Sequence, residues 1–174
     1  MDKLSELGID NWRAIPLTVY ESTLSEVKES FLDKITETVS ITDKSIKILV
    51  GFITFISAIG LYFVKNHAQT GSYVIFGLLS VANIGVTFWN IKGHILIPSG
   101  TTPQYVLTSN FNSSEITDID KQKLFYKNLI EQYWNNTNRM GNINNNRILL
   151  YDITLILSIL IIVTSSCYLG SIIT

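Results

Sequence analysis

The sequence has 174 residues, of which 47 % are hydrophobic and only 16 % are charged, and its net charge is −1. Soluble domains usually carry about 25 % charged residues, and here the deficit is concentrated in three stretches. The remaining polar residues are too few to cover three such stretches in water, which excludes an ordinary soluble globular domain.

Three stretches without charged residues predict the membrane-spanning part of the chain: residues 48–64, 68–91 and 153–174. A helix needs roughly 20 apolar residues to cross a bilayer, with a range of about 17–25. We therefore predict an all-α membrane protein with three transmembrane helices, at 48–64, 72–91 and 148–174. Arg147 should snorkel from the start of the third helix to the lipid phosphates. A buried core helix stays open as the alternative for each stretch, most of all for the first, which is the shortest.

Residues 1–47 form an N-terminal segment without the apolar run of a signal peptide. Pro16 should prevent a helix from running through its start, and Thr23 and Glu26 have the spacing of a capping box. Apolar residues mostly three or four apart then predict one amphipathic helix that leads into the first span, with a bend near 40–43 left open. These residues are Leu24, Val27, Phe31, Ile35, Val39 and Ile46. The helix would pack on its own protomer or form a self-associating collar.

Basic residues set the orientation of the chain in the membrane. Six lysines and arginines precede the first span, one lies between the first two spans, six lie between the second and third, and none follows. Because basic segments are retained in the cytoplasm, we expect the N-terminus and residues 92–147 inside and the C-terminus outside.

The inner segment, residues 92–147, begins with Pro98 and Pro103 on either side of Gly100, which indicates turn or extended structure. The short runs 95–97 and 105–108 could pair as strands. Ser114 would then cap an amphipathic helix over residues 115–136. An asparagine-rich connection follows this helix and leads into the third span.

No arrangement of residues in the sequence points to catalysis. His67 and His94 are isolated and are predicted on opposite sides of the membrane, so they indicate no metal site. The sequence has no GxSxG motif, phosphate loop or CxxC pair. Its single cysteine, Cys167, lies within the third span and cannot form an intrachain disulfide. We expect no enzyme, no metal and no cofactor.

Polar side chains within the spans share single helix faces. Those of the second span are three, four and three residues apart. A polar group in a bilayer normally faces protein or water. We expect helix packing to explain Thr54 and Ser57 in the first span and the set in the third, and we expect a water-facing stripe in the second. The candidate pore-lining residues are Ser80, Asn83, Thr87 and Asn90, with Thr154, Ser158 and Ser165 as a second choice.

Three helices cannot enclose a pore, so a conducting protein of this kind must be oligomeric. Closed rings are the usual form of homo-oligomers. Four or five copies of one lining helix would surround a narrow pathway, and we favour a tetramer.

The order of the segments carries a resemblance. Two close spans are followed by an inner Pro/Gly segment (KGHILIPSGTTP), an inner helix (LFYKNLIEQYW), an asparagine and arginine approach (NINNNR) and a last span. This layout, over roughly residues 46–174, resembles small membrane effectors of bacterial anti-phage systems that signal with nucleotides, of the Pycsar type or the Hailong type. The resemblance rests on layout, with no diagnostic motif. The long N-terminal segment departs from the shortest of these effectors and fits a gated channel better.

The resemblance implies a function for the chain. It implies an oligomeric ion channel in the bacterial inner (plasma) membrane. This channel would depolarise that membrane on infection. A nucleotide or oligonucleotide made by a partner nucleotidyltransferase would control this channel; the Hailong-type channel is held shut by a DNA-like oligoadenylate. The alternatives are a non-conducting membrane anchor that recruits a cytoplasmic partner, and an accessory subunit of another channel.

The first 20 residues offer a candidate gate. They are separated from the main helix by Pro16 and have few polar groups between their apolar residues, so they need a surface to bury against. Packing on the same protomer is one interpretation, and a plug at the inner mouth of the pore is the other. The candidate gate residues are Leu4, Leu7, Ile9, Trp12 and Ile15.

The inner segment offers a candidate ligand site. Phosphates need cations and bases need flat surfaces on which to stack, and the amides of Asn135, Asn136 and Asn138 could pair with an adenine edge. A solvated lysine face with an interfacial aromatic belt is the alternative. The candidate ligand-binding residues are Lys121, Lys123, Lys127, Tyr133, Trp134, Arg139 and Arg147, with Tyr126 as a further stacking surface.

Overall fold

In the computed structural model, which describes residues 11–65, 70–92 and 116–173, the chain forms three long helices. They are α1 (Leu17–Lys65), α2 (Thr70–Ile91) and α3 (Asp118–Ile173). No strand occurs within those ranges, so the predicted all-α class is confirmed there. The strands predicted at 95–97 and 105–108 lie outside the described residues, as do the candidate gate residues Leu4, Leu7 and Ile9.

Each helix contains a stretch that is long and apolar enough to cross a membrane. The mean hydropathy of the most apolar 18 residues is 1.9 in α1, 1.7 in α2 and 2.4 in α3. Only 17–22 % of the residues in these stretches are buried. Their apolar side chains therefore point outwards, where lipid or another membrane protein would cover them.

The start of α1 differs from the prediction. The helix begins at Leu17, directly after Pro16 and a short 3-10 turn at Trp12–Ala14. Proline has no N–H to donate and suits the first positions of a helix, where that N–H would have no partner. Thr23 lies inside the helix, more than one turn past its first residue, so the capping box predicted from Thr23 and Glu26 is wrong.

The buried face of α1 also differs from the prediction. The helix runs without interruption into the first apolar stretch, as predicted, but Val39 is 57 % and Ile46 43 % exposed. Phe31 is buried, as predicted, and it belongs to a set of buried side chains that recur at every seventh residue: Phe31, Thr38, Ser45, Phe52 and Ile59. A seven-residue repeat keeps one seam of a helix facing its neighbours. The apolar residues alone do not predict this buried face, because two of its members, Thr38 and Ser45, are polar.

A single helix replaces the two predicted between residues 115 and 174. α3 begins after Thr117, whose Oγ1 accepts a hydrogen bond from the Asp120 N–H (3.2 Å) and caps the helix. It continues through the asparagine-rich connection to Ile173. Asparagine is a weak helix former, but Met140, Asn144 and Arg147 are buried on one face. Tertiary contacts therefore override the local preference.

The chain divides into two compact units. The first unit comprises residues 1–36 and 96–142, and among its described residues Tyr20, Phe31 and Met140 are buried. In this unit the rings of Phe31 and Tyr133 pack edge to face with centroids 5.7 Å apart. The second, which we call the membrane unit, comprises residues 37–95 and 143–174 and holds the apolar stretches of all three helices.

Candidate functional site

The interior of the membrane unit is mostly polar. Its buried apolar residues, within the described part of the chain, are only Ile41, Phe52, Ile59 and Ile161. The polar residues buried with them are Thr38, Ser45, Ser80, Asn83, Thr87, Asn90, Asn144, Arg147, Thr154, Ser158 and Ser165. Because lipid tails are as apolar as leucine, membrane helices associate through close packing and hydrogen bonds rather than through the hydrophobic effect. We call the eleven buried polar residues of the membrane unit the polar seam.

Arg147 is the centre of the polar seam, and its side chain is only 2 % exposed. Its Nη2 donates to Thr42 Oγ1 (2.7 Å) and to the backbone oxygen of Asn90 (3.0 Å). Its Nη1 donates to the backbone oxygen of Thr38 (3.3 Å), and its Nε donates to Asn90 Oδ1 (3.4 Å). One guanidinium group on α3 therefore binds both α1 and α2.

Asn90 and Asn144 extend this network. Asn90 Nδ2 donates to Ser45 Oγ (3.1 Å) and to the backbone oxygen of Arg147 (3.2 Å). Asn144 accepts from Thr38 Oγ1 (2.8 Å) and donates to Glu37 Oε2 (3.1 Å). Through their donors and acceptors, Asn90 joins α2 to both α1 and α3, and Asn144 joins α3 to α1.

The electrostatic environment of Arg147 explains how a buried cation is tolerated. Asn90 is the last residue but one of α2, so its carbonyl belongs to the helix end that carries partial negative charge. A guanidinium remains charged in proteins even when it is buried. The predicted snorkelling of Arg147 to lipid phosphates is wrong, because helix carbonyls, an amide and a hydroxyl inside the protomer bind its donors.

A second contact lies deeper in the membrane unit. Asn83 Nδ2 donates to Ser158 Oγ (2.7 Å), and Ser158 Oγ in turn donates to the backbone oxygen of Thr154 (2.7 Å). Thr87 Oγ1 donates to the backbone oxygen of Asn83 (2.7 Å). Asn83 Oδ1 and Ser80 Oγ are buried without a hydrogen-bond partner.

All seven candidate pore-lining residues belong to the polar seam and are buried within one protomer. Asn83 and Asn90 each bond across to another helix. This arrangement favours the helix-packing alternative for the second span as well as for the third. A pore-lining role for these residues stays a prediction.

The first unit brings a candidate gate residue against candidate ligand residues. Lys127 is buried, and its Nζ lies 5.9 Å from the centre of the Trp12 ring. Lys123 Nζ donates to the backbone oxygen of Arg13 (2.6 Å), and Tyr20 Oη donates to the backbone oxygen of Trp12 (2.9 Å). We call residues 12–15, which these contacts hold, the N-terminal turn. It includes Ile15, which is half-buried.

The other candidate ligand residues do not form one cluster. Lys121 is 3.7 Å from Asp118 in an ion pair on the helix surface, and Tyr133 packs on Phe31. Trp134 and Arg139 are exposed. Arg147 belongs to the membrane unit. Ligand binding by this set stays a prediction, and the structure brings together only Lys123, Lys127 and the N-terminal turn.

The sequence pattern does not predict three residues of the polar seam, Thr38, Ser45 and Asn144, or Thr42, which bonds Arg147. A signal was present, because Phe31, Thr38, Ser45 and Phe52 follow one another at intervals of seven. Because Thr38 and Ser45 are polar, they do not belong to the apolar stripe from which the buried face of this helix was predicted.

The described residues contain no group of three or more His, Cys, Asp or Glu side chains placed to hold a metal ion.

The chain has no match to known families or proteins. Comparisons with protein-family models, with curated proteins and with solved structures all find nothing that matches it.

Proposed function

We propose that the chain is a bacterial membrane effector that assembles into an oligomeric, ion-permeable channel. It is gated from the cytoplasm by a nucleotide or oligonucleotide in anti-phage defence. Three helices long and apolar enough to span a membrane support the membrane location. The distribution of basic residues supports a cytoplasmic N-terminus and an external C-terminus.

The contact between the N-terminal turn and two lysines carries the gating part of the proposal. Lys123 donates to a neutral carbonyl of the turn, and Lys127 lies against the Trp12 ring. A phosphate carries a full negative charge, so it would attract the same two ammonium groups more strongly than a neutral carbonyl or an aromatic ring does. Ligand binding would therefore compete with docking of the turn, which couples the ligand to the gate.

A pathway between protomers would be lined by side chains that each protomer presents outwards. Thr54 and Ser57 in α1, and Thr164 and Ser166 in α3, are exposed hydroxyl residues within the apolar stretches. Each donates to a carbonyl of its own helix three or four residues earlier. We therefore add these four hydroxyl residues to the candidate pore-lining residues. The seven residues predicted from the sequence face the interior of the protomer instead.

Ion flux through the purified protein in liposomes tests the proposal. We expect flux from the wild type either with or without added adenylates, and no flux in both conditions would refute the channel. Asn83→Leu should cut the flux sharply without dissociating the oligomer if the polar seam lines the pathway. Unchanged flux in Asn83→Leu together with reduced flux in Ser57→Leu would move the pathway to the exposed face of α1.

The gate is tested with the ligand site in the same liposomes. Deleting residues 2–16 should give constitutive flux, and a folded but silent deletion variant would remove the gate. Short adenylates should bind the oligomer more weakly as salt rises, and Lys123→Glu with Lys127→Glu should abolish binding. Lys28→Glu, at an exposed position of α1, is the matched control and should bind as the wild type does.

A non-conducting membrane anchor is the second candidate. The burial of all seven predicted lining residues inside one protomer favours it, since helix packing alone explains their positions. In that case the first unit would recruit a soluble partner. Absence of flux from folded oligomers, with or without adenylates, would select the anchor.

A further inference from the structure

A stripe of exposed side chains follows α1 through the membrane unit. Its members alternate at intervals of four and three residues, and we call them the outer stripe: Val39, Asp43, Ile46, Val50, Ile53 and Ser57. Four of the six are apolar, yet Val39 is 57 % and Val50 59 % exposed. Alternation of four and three is the heptad spacing of a helix that packs along one line on another helix. The outer stripe therefore has the pattern of a helix contact without a partner in the described part of the protomer.

The outer stripe lies beside the buried face of the same helix and is distinct from it. Val39 directly follows the buried Thr38, and Ile53 directly follows the buried Phe52. Consecutive residues of an α-helix point about 100° apart, because 3.6 residues complete a turn. One side of α1 thus packs inside its own protomer, while the outer stripe points to another side.

Neither lipid nor a soluble protein accounts for the whole outer stripe. Val39 precedes Ile48, the start of the uncharged stretch, by nine residues, which is about 13 Å along a helix. The headgroup layer on each side of a bilayer is only about 5–7 Å thick, so lipid does not cover Val39. A soluble partner does not reach Val50 and Ile53, which lie inside the apolar stretch. The occupant must therefore cross the border of the membrane itself.

A second copy of α1 meets this requirement. Copies of one chain insert with one orientation, which the basic residues set, so their α1 helices run parallel and their outer stripes lie at the same depth. Two identical heptad patterns then meet in register.

Charge and space also suit this pairing. Asp43, the charged member of the outer stripe, forms an ion pair with Lys47 (2.7 Å). In a parallel pair each Asp43 carboxylate lies level with the neighbour's Lys47, whose charge offsets the repulsion between the two carboxylates. Gly60 continues the spacing after Ser57, and a Cβ on Gly60 would meet no atom within 4 Å. A second helix can approach the backbone closely at such a glycine.

We propose that the outer stripe is the surface on which a second copy of this chain docks, with the two α1 helices parallel and in register. This contact rests on the oligomer of the proposed function, but it depends neither on conduction nor on a ligand. Packing on its own protomer and a self-associating collar were the two alternatives for this helix, and its two faces serve both. Ser57, one of the added lining candidates, then lies at the contact between copies.

Disulfide cross-linking in liposomes tests the contact, in a Cys167→Ala background with copper phenanthroline as the oxidant. A disulfide needs Cα atoms about 4.4–6.8 Å apart, so Val39→Cys should form linked dimers on the order of ten times faster than Ser40→Cys. Ser40 is the matched control, because it is equally exposed to solvent and lies at nearly the same depth on another side of α1. Equal rates at the two positions would overturn the proposal, since lipid or a foreign partner on the outer stripe predicts no preference.

The size of the oligomer provides a second measurement, by sedimentation equilibrium in detergent. Val39→Asp sets like charges against each other between copies and should raise the dissociation constant of the oligomer by about tenfold or more. Ser40→Asp adds the same charge beside the outer stripe and should leave this constant unchanged. Helix content from circular dichroism should match the wild type in both variants, because both positions are exposed within the protomer. An unchanged dissociation constant in Val39→Asp would refute the docking surface.

Failure of this contact and failure of the channel give different results. An oligomer that conducts ions but shows no preferential cross-linking at Val39→Cys would refute the docking surface alone. An oligomer that cross-links there but conducts no ions, with or without adenylates, would refute the channel alone.

Discussion

Replacing Thr42 with valine should weaken the hold of Arg147 on α1. Valine has nearly the shape of threonine but lacks the hydroxyl that accepts the shortest hydrogen bond of the guanidinium, 2.7 Å from Nη2. The same nitrogen keeps its second bond, to the Asn90 carbonyl at 3.0 Å, but the N–H that bonds Thr42 loses its acceptor. The hydroxyl also donates to the Thr38 carbonyl (2.9 Å), which still accepts from Arg147 Nη1.

The expected loss follows from these contacts. Hydrogen bonds to charged groups contribute about 1.5–3 kcal/mol in water-soluble proteins, whereas interhelical polar contacts in membranes average about 0.6 and reach about 1.7 kcal/mol. Thr42→Val should therefore lower the free energy of unfolding by about 1–2 kcal/mol. In an Arg147→Met background the same substitution should cost less than about 0.5 kcal/mol, because its partner is already gone.

Equilibrium unfolding in mixed detergent micelles, followed by far-ultraviolet circular dichroism, measures all four proteins of this double-mutant cycle. Thr42→Ser is the matched control, since it keeps the hydroxyl, and it should unfold within about 0.5 kcal/mol of the wild type. Equal costs of Thr42→Val in the presence and absence of Arg147 would refute the reasoning, because the hydroxyl would then act without the guanidinium.

Two further predictions concern the first unit and the topology. Phe31→Ala removes a fully buried ring that packs on an aromatic neighbour, and it should lower the free energy of unfolding by about 3–5 kcal/mol. Leu32→Ala, at the adjacent exposed position, should change this free energy by less than about 0.5 kcal/mol. Similar losses in both variants would contradict the assigned core. In a Cys167→Ala background, Lys65→Cys should react with an impermeant thiol reagent added outside cells and Asn138→Cys should not, and the reverse pattern would place the first unit outside.

The sequence by itself determined the class of the fold and the number of apolar helices. Stretches of 17 to 24 residues without charge leave a membrane helix as the simplest way to satisfy the backbone in a hydrocarbon environment. The spacing of Ser80, Asn83, Thr87 and Asn90 also established that one face of α2 is polar, because helix periodicity alone places them together.

Only the tertiary structure decided what that face contacts. A polar stripe on one helix has the same pattern whether it faces water or other helices, and the residues that bind it, such as Ser45 and Arg147, are distant in sequence. The same holds for the asparagine-rich part of α3, whose local preference is against helix and whose Asn144 gains partners only when α1 lies beside it. Pairings between distant helices depend on side-chain geometry that a one-dimensional pattern does not contain.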